Sequence, residues 1–373
     1  MNAAINQKPS LIETVIRKRL LGKGFLLAIA ILAVWKLVIS FIAGPTVFLQ
    51  QVVNGFQLGF VYALIALGYT MVYGIVRLIN FAHGDVFMVG AFASYYAIAR
   101  WGLNAWPSKV FPGLPAWLSS AIGVITVILL SMVACAILAF VIERIAYKPL
   151  RNAPRISALI TAIGVSFFLE YFGYLPIAFG PNFITYQRPF EVVNWVISGS
   201  GIVALKPGVA PPDNTLILSN ISLYIIIISL LLVFILNFFV QHTRIGKAMR
   251  ASAYDKPTSR LMGINVDGII SVTFAIGAAL AGAAGVLYAT AFPQVNFVMG
   301  IIPGLKAFIA AVMGGIGSIP GALVGALIIG EAEVLSAAYI STPMRDAVAF
   351  SILVLVLLVR PTGIFGEPSR EKA

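Results

Sequence analysis

The sequence predicts an all-α polytopic membrane protein of about ten transmembrane helices, eight at the least. Three observations carry this. Of its 373 residues, 60% are hydrophobic and 10% charged, against about 45–50% and about 25% in soluble domains. Apolar runs near the roughly 20 residues that a bilayer-spanning helix needs recur along the whole chain. Sustained strand alternation is missing, so a helical bundle is expected and a barrel is not.

The elements follow in order. Residues 1–24 hold Lys8, Arg17, Lys18, Arg19 and Lys23 and resemble the basic region of a signal peptide, but no small-residue cleavage site follows the apolar run 25–43. That run reads as a retained helix, with Lys36 inside it. Further spans are expected over 47–76, 84–99, 117–142, 156–179, 215–240, 266–291 and 345–359, with a Gly/Ala-rich stretch over 301–340. Basic residues near span ends stay cytoplasmic. Placing the N-terminus inside puts the loops 143–155 (Arg144, Lys148, Arg151, Arg155) and 241–265 (Arg244, Lys247, Arg250, Lys256, Arg260) inside as well, with the tail that holds Arg360, Arg370 and Lys372. Two cytoplasmic termini require an even number of crossings, so 301–340 is expected to cross twice. Its forty residues measure about 60 Å as helix, enough for two short spans broken at Gly314, Gly315, Gly317 and Pro320. A re-entrant hairpin with the C-terminus outside is the competing arrangement. The proline-bearing loop 180–214 is expected to hold local structure without forming a domain. The chain thus divides into a basic extension with an additional helix (1–46), a transmembrane domain (47–366) and a cytoplasmic tail (367–373).

The charges are lopsided, 25 Lys and Arg against 13 Asp and Glu for a net +12. Such an excess marks either nucleic-acid binding or membrane asymmetry, and the hydrophobicity decides for the membrane. One Cys and two His provide no disulfide framework, metal cluster or thiol nucleophile. The nucleotide loop G-x-x-x-x-G-K-[ST] is absent: around Gly246-Lys247, Gln241 and Ala248 stand where Gly and Ser or Thr are required. The chain is therefore expected to bind no cofactor, no metal and no nucleic acid, and to depend on another chain for any ATP hydrolysis.

Four local features stand out. The segment 241–266 is too polar to span, and within it 256–262 is expected to form a short surface helix, N-capped by Asp255, with Pro257 in its first turn and Gly263 in a left-handed C-cap. Arg250, Lys256 and Arg260 would then meet lipid headgroups or an acidic partner, although by composition alone a plain basic topological loop is the simpler reading. The hexapeptide Asn80-Phe81-Ala82-His83-Gly84-Asp85 interrupts two apolar runs; it fits either a translocation path, where polar groups at membrane depth usually lie, or a turn with Asp85 in the next helix's dipole. Small residues at Gly55/Gly59, Ala281/Gly285 and Gly321/Gly325 suit close helix packing. Among the isolated intramembrane charges, Lys306 and Glu331 form a candidate pair.

Several longer motifs carry a family resemblance. They are Tyr62-Ala-Leu-Ile-Ala-Leu-Gly-Tyr-Thr-Met-Val-Tyr-Gly74, Ile79-Asn-Phe-Ala-His-Gly-Asp85, Glu143-Arg-Ile-Ala-Tyr-Lys-Pro-Leu-Arg151, Met262-Gly-Ile-Asn265, Phe274-Ala-Ile-Gly-Ala-Ala279 and Lys306-Ala-Phe-Ile-Ala-Ala-Val-Met-Gly-Gly-Ile-Gly-Ser-Ile-Pro-Gly321. Together they resemble the branched-chain amino acid ABC importer permeases, in the shorter of two permease types, over about residues 47–366. The resemblance implies a pair with a second, longer permease in the cell inner membrane. It also implies two cytoplasmic ATPase subunits that hold the ATP, and a periplasmic or lipid-anchored substrate-binding protein.

On the same resemblance, the segment with Arg250, Ala251, Asp255, Lys256, Arg260 and Gly263 is the coupling helix that seats on an ATPase. Asn80, His83, Gly84 and Asp85 then mark a helix discontinuity near the translocation path. The helix at 25–43 is additional to the type and the loop 180–214 long for it. Urea, amide and broader neutral amino acid permeases share these motifs, so a urea or amide cargo is an alternative within the family. From a different class, an ion-coupled transporter or channel acting alone would need intramembrane ionisable groups, which are few here.

Overall fold

The computed structural model describes residues 32, 35–151, 153–198, 201–205, 211–212 and 214–366. The expectations for residues 1–31, 33–34 and 367–373, among them most of the additional N-terminal helix and the tail, lie outside the described residues. Residues 35–43 are helical (α1), with Lys36 exposed. There follow α2 (Pro45–Val76), α3 (His83–Ala99), α4 (Trp106–Val110), α5 (Ala116–Ile142), α6 (Arg155–Tyr174), α7 (Asn220–His242), α8 (Arg244–Tyr254), α9 (Lys256–Leu261), α10 (Val266–Ala291), α11 (Ile301–Gly314), α12 (Ile319–Tyr339) and α13 (Arg345–Val359).

Seven helical segments among the described residues are long and apolar enough to cross a membrane: Pro45–Val76, Ala116–Leu150, Ile156–Tyr174, Asn220–His242, Val266–Ala291, Ile319–Tyr339 and Thr342–Val359. The expected ten is not reached by helices of spanning length. Of the three that fall short, the span expected over 25–43 lies mostly outside the described residues, and the other two are α3 and α11, of 17 and 14 residues. At 1.5 Å per residue they measure about 25 and 21 Å, less than the hydrocarbon core of about 30 Å. Both begin inside the bundle, where Gly84 meets Gly300 and Gly304: a methyl group at Gly304 would lie 2.7 Å from the Gly84 Cα. The stretch 301–340 does break where expected. Gly315 and Gly317 take φ +106° and +99°, open to glycine and strained for other residues. Ser318 then caps α12 by accepting from the Gly321 N–H at 3.1 Å.

α2 is the axle of the bundle. Leu58 to Val72 is buried without interruption, the pattern of a helix enclosed by protein on every side. α12, α10 and α11 pack against it, α10 and α12 through small residues, Gly277 against Gly68 and Gly330 against Gly59. Outward faces of α5, α6 and α7 carry exposed Ile125, Phe168 and Phe234, as a lipid-facing surface should. Where α3, α5 and α10 cross, Ser131 donates to the Gly90 carbonyl at 3.1 Å, and a methyl on Gly282 would sit 2.7 Å from the Ser131 carbonyl oxygen. Gly282→Leu is therefore expected to destabilise the bundle by about 1–3 kcal/mol through overpacking, read as a lowered unfolding temperature in detergent. Gly164→Ala on α6, where nothing lies within 4 Å, should leave it unchanged or raised.

One end of the bundle, the basic end, collects the C-terminal ends of α2, α5 and α7 with the surface helices α8 and α9. At the opposite end, β2 (Asn194–Ser198) pairs antiparallel with β3 (Gly201–Ala204) and β4 (Leu216–Ser219). There too β1 (Ile184–Thr185) pairs with β5 (Gln294–Val295). The loop 180–214 thus has the expected local structure. The helix expected to start at 215 starts at Asn220, because 216–219 are taken by the sheet and Ser219 becomes the N-cap, accepting from the Ile221 N–H at 3.2 Å.

Candidate functional site

Three arrangements of polar groups stand out in an otherwise apolar molecule. The first is the break between α2 and α3. α2 stops at Arg77 in the left-handed conformation (φ 59°), and the chain turns inward without helix until His83. Asn80, His83 and Asp85 are all buried. The Asn80 Oδ1 accepts from the Tyr147 hydroxyl at 2.6 Å, and the Asp85 Oδ2 accepts from the Ser166 hydroxyl at 2.5 Å. His83 packs edge-on against Tyr69, ring centroids 4.7 Å apart, and its Nε2 is buried with no hydrogen-bond partner among the described residues. Asp85, Ser166 and Glu170 line a small cavity of about 130 Å³ between α3, α6 and α11. Gly84 faces the α3–α11 crossing, which gives it a packing reason. Tyr147→Phe should strand the buried Asn80 carbonyl and cost about 1–3 kcal/mol, measured by thermal unfolding of the purified protein.

The second arrangement is at the basic end. α9 has the form expected from the sequence: the Asp255 side chain accepts from the Thr258 N–H at 3.2 Å, and Pro257 lies in the first turn. At its C-terminus, the Gly263 N–H reaches the Arg260 carbonyl and the Ile264 N–H the Ser259 carbonyl, each at 3.0 Å, with Gly263 at φ +82°. These two bonds form a Schellman cap.

The basic side chains expected to meet lipid or a partner each make a contact within the chain. Arg250 donates to the Val240 carbonyl at the end of α7, Lys256 to the Val76 carbonyl at 3.4 Å, and Arg260 lies 3.5 Å from Asp267. Ala251 is exposed on α8. Beneath them α5 widens into a π-turn over Glu143–Tyr147 that turns both of these residues inward. There Arg151 bridges the fully buried Glu143 and Asp267, and Ser271 donates to Glu143 at 2.6 Å. Sequence reasoning missed Tyr254, Leu261 and Met262, which are 81%, 88% and 78% exposed at this end. The signal present in the sequence was Leu-Met ahead of the capping glycine in a polar segment.

The third arrangement corrects an expectation. Lys306 is 1% exposed and pairs with Glu333 at 2.6 Å and Asp346 at 2.7 Å, and does not pair with Glu331. Two residues apart on a helix point about 200° apart, so only one of the two glutamates on α12 can face α11. Glu331 instead faces α2, where it packs against Gly55. The Tyr62 hydroxyl donates to the second Glu333 oxygen at 2.9 Å. The cluster lies on the wall of an open cavity of about 880 Å³ reached from the end opposite α9, which Gln51, Asn54 and Asn296 also line.

A bundle of apolar helices with buried polar groups at the break between two of them, a polar cavity entering from one end and a capped surface helix at the other defines a multi-pass membrane transport subunit. Comparison with known proteins makes this specific. Residues 51–357 match the family model for the permease component of branched-chain amino acid transport systems, and the chain belongs to that family. It is 43% identical over 326 residues to the high-affinity branched-chain amino acid transport permease LivH of Salmonella typhimurium and to that of Escherichia coli K12, covering 87% of this chain and 97% of each relative. BraD of Pseudomonas aeruginosa is 40% identical over 87% of this chain and 98% of its own length. The permease LivM of Escherichia coli, 25% identical over 92% of this chain and 74% of its own, represents a second type.

Proposed function

We propose that this chain is a translocation subunit of an ATP-driven importer for branched-chain or other neutral amino acids, paired in the membrane with a homologous permease. The observation that carries the reading is 43% identity across nearly the full length of LivH. Arg144, Lys148, Arg151 and the basic residues of α8 and α9 gather at one end, so that end faces the cytoplasm. There α9 is the coupling helix, seated on one of two ATPase subunits. The exposed Tyr254, Leu261 and Met262 support this, since large apolar side chains on a polar surface segment suit coverage by a partner.

Accumulating a solute a thousandfold costs about 4 kcal/mol, and this chain has no nucleotide loop, so hydrolysis falls to the ATPases and no cofactor binds here. A periplasmic or lipid-anchored binding protein delivers cargo to the opposite end. In the proposed cycle, ATP closes the two ATPases, the coupling helices move as levers, and the helix break at Asn80–Asp85 belongs to the path that changes side. Reconstituting the chain with its partner permease, ATPases and binding protein in liposomes should give ATP-dependent uptake of radiolabelled leucine. Uptake by this chain alone without ATP, or uptake of urea in preference to leucine, would overturn the reading.

A further inference from the structure

The cavity opposite α9 has a charge arrangement suited to one kind of ligand. It holds two cationic side chains, Lys306 and Arg345, and two anionic ones, Glu333 and Asp346, so its formal charge is zero, and each cation lies within 4 Å of both anions. The two inner members are held firmly. Lys306 and Glu333 are buried against each other, and Tyr62 holds the second Glu333 oxygen. The outer members are held on one side only: the Asp346 Oδ1 lies 2.7 Å from the Lys306 ammonium, while among the described residues its Oδ2 takes part in no ion pair. Arg345 and Asp346 open α13 at the rim with side chains 48% and 41% exposed, and the Arg345 Nε lies 3.7 Å from both Glu333 and Asp346. Among the described residues, the guanidinium makes no hydrogen bond. Its remaining N–H fork faces no carboxylate at bonding distance, and such a fork receives a carboxylate through two parallel bonds. Apolar wall is supplied by Phe292, Ile302 and Val334.

We infer that this cavity is a vestibule site for a zwitterion carrying an acid group and an ammonium group, with Arg345 receiving the acid and Asp346 the ammonium. The inner Lys306–Glu333 pair holds the rim in register, and the apolar wall takes the side chain. A net-neutral ligand enters without upsetting the balance of the four charges, whereas a lone cation or anion would leave one side chain uncompensated. A free neutral amino acid has this chemistry, and so does a phosphatidylethanolamine headgroup. The inference deepens the proposed function by giving this subunit its own contact with the cargo after release from the binding protein.

The test uses the full complex of permeases and ATPases, without binding protein, in nanodiscs of phosphatidylcholine and phosphatidylglycerol. Radiolabelled leucine should bind saturably, and valine should compete. Leucinol, which lacks the acid, and 4-methylpentanoate, which lacks the ammonium, should not compete. Arg345→Gln and Asp346→Asn should each weaken binding at least tenfold, with the inner pair intact. With binding protein and ATP restored in liposomes, the same variants should raise the KM for uptake more than they lower kcat. Unchanged binding in both variants, or competition by leucinol equal to that by leucine, overturns the site. Binding that is lost only when phosphatidylethanolamine is added assigns the site to lipid and overturns its contact with cargo. A wild-type complex that takes up no leucine refutes the proposed function instead, so the two failures are distinguishable.

Discussion

Replacing Lys306 with Met should destabilise the protein by about 3–5 kcal/mol, the cost of leaving a buried charge without its partner. Lys306 is enclosed, its ammonium lies 2.6 Å from Glu333, and Glu333 is itself 4% exposed. Once the lysine is gone, that carboxylate keeps only the Tyr62 hydroxyl and an Arg345 nitrogen 3.7 Å away. The expected readouts are a lower unfolding temperature in detergent and a poor yield of folded protein. Lys306→Met combined with Glu333→Gln should recover much of the loss, because a neutral pair of similar shape demands little desolvation; what remains is Asp346, which also loses the ammonium 2.7 Å away and keeps Arg345 at 3.7 Å. The two changes must then be strongly non-additive. Lys306→Met combined with Glu331→Gln should recover nothing, since Glu331 faces α2. Recovery with the Glu331 change, or additive losses with the Glu333 change, would show the pairing to be wrong.

Gly263→Asp should leave insertion and the bundle intact while leucine uptake falls below about a tenth. Gly263 stands at φ +82° with nothing within 4 Å of an added Cβ. The substitution therefore meets no clash; its cost is conformational, at most about 1–2 kcal/mol, since aspartate like asparagine can bond locally in the left-handed region. That cost falls on the Schellman cap that ends α9, and the new carboxylate adds negative charge to the surface where the ATPase is proposed to sit. Gly263→Asn separates the two effects, since asparagine meets the same backbone demand as aspartate without its charge. It should retain most of the uptake. If the aspartate variant co-purifies with its ATPases at wild-type yield and stimulates hydrolysis normally, the coupling role assigned to α9 is incorrect.

These cases mark how far the sequence could be read. The short helix α9 was legible because its signals are local: Asp255, Pro257 and Gly263 fix a start and an end within nine positions, whatever packs above them. The break at Gly315, Gly317 and Pro320 was legible for the same reason. The number of spanning helices was not, because α3 and α11 are too short to cross alone and meet inside the bundle at Gly84, Gly300 and Gly304. Nor could the fate of the basic residues near α9 be read. Lys256 and Arg260 face lipid or solvent in a linear reading, and only the approach of α2 and α10 supplies the Val76 carbonyl and Asp267.

A helical membrane protein whose basic residues gather near span ends, and its family, were legible from composition, local spacing and motifs, because these are properties of the chain alone. Tertiary structure decided which charges meet. Lys306 finds Glu333 and Asp346, partners 27 and 40 positions away, through the way α12 and α13 rotate against α11. Helix rotation is set by the packing of small residues across several helices at once, so no stretch of sequence read singly contains it.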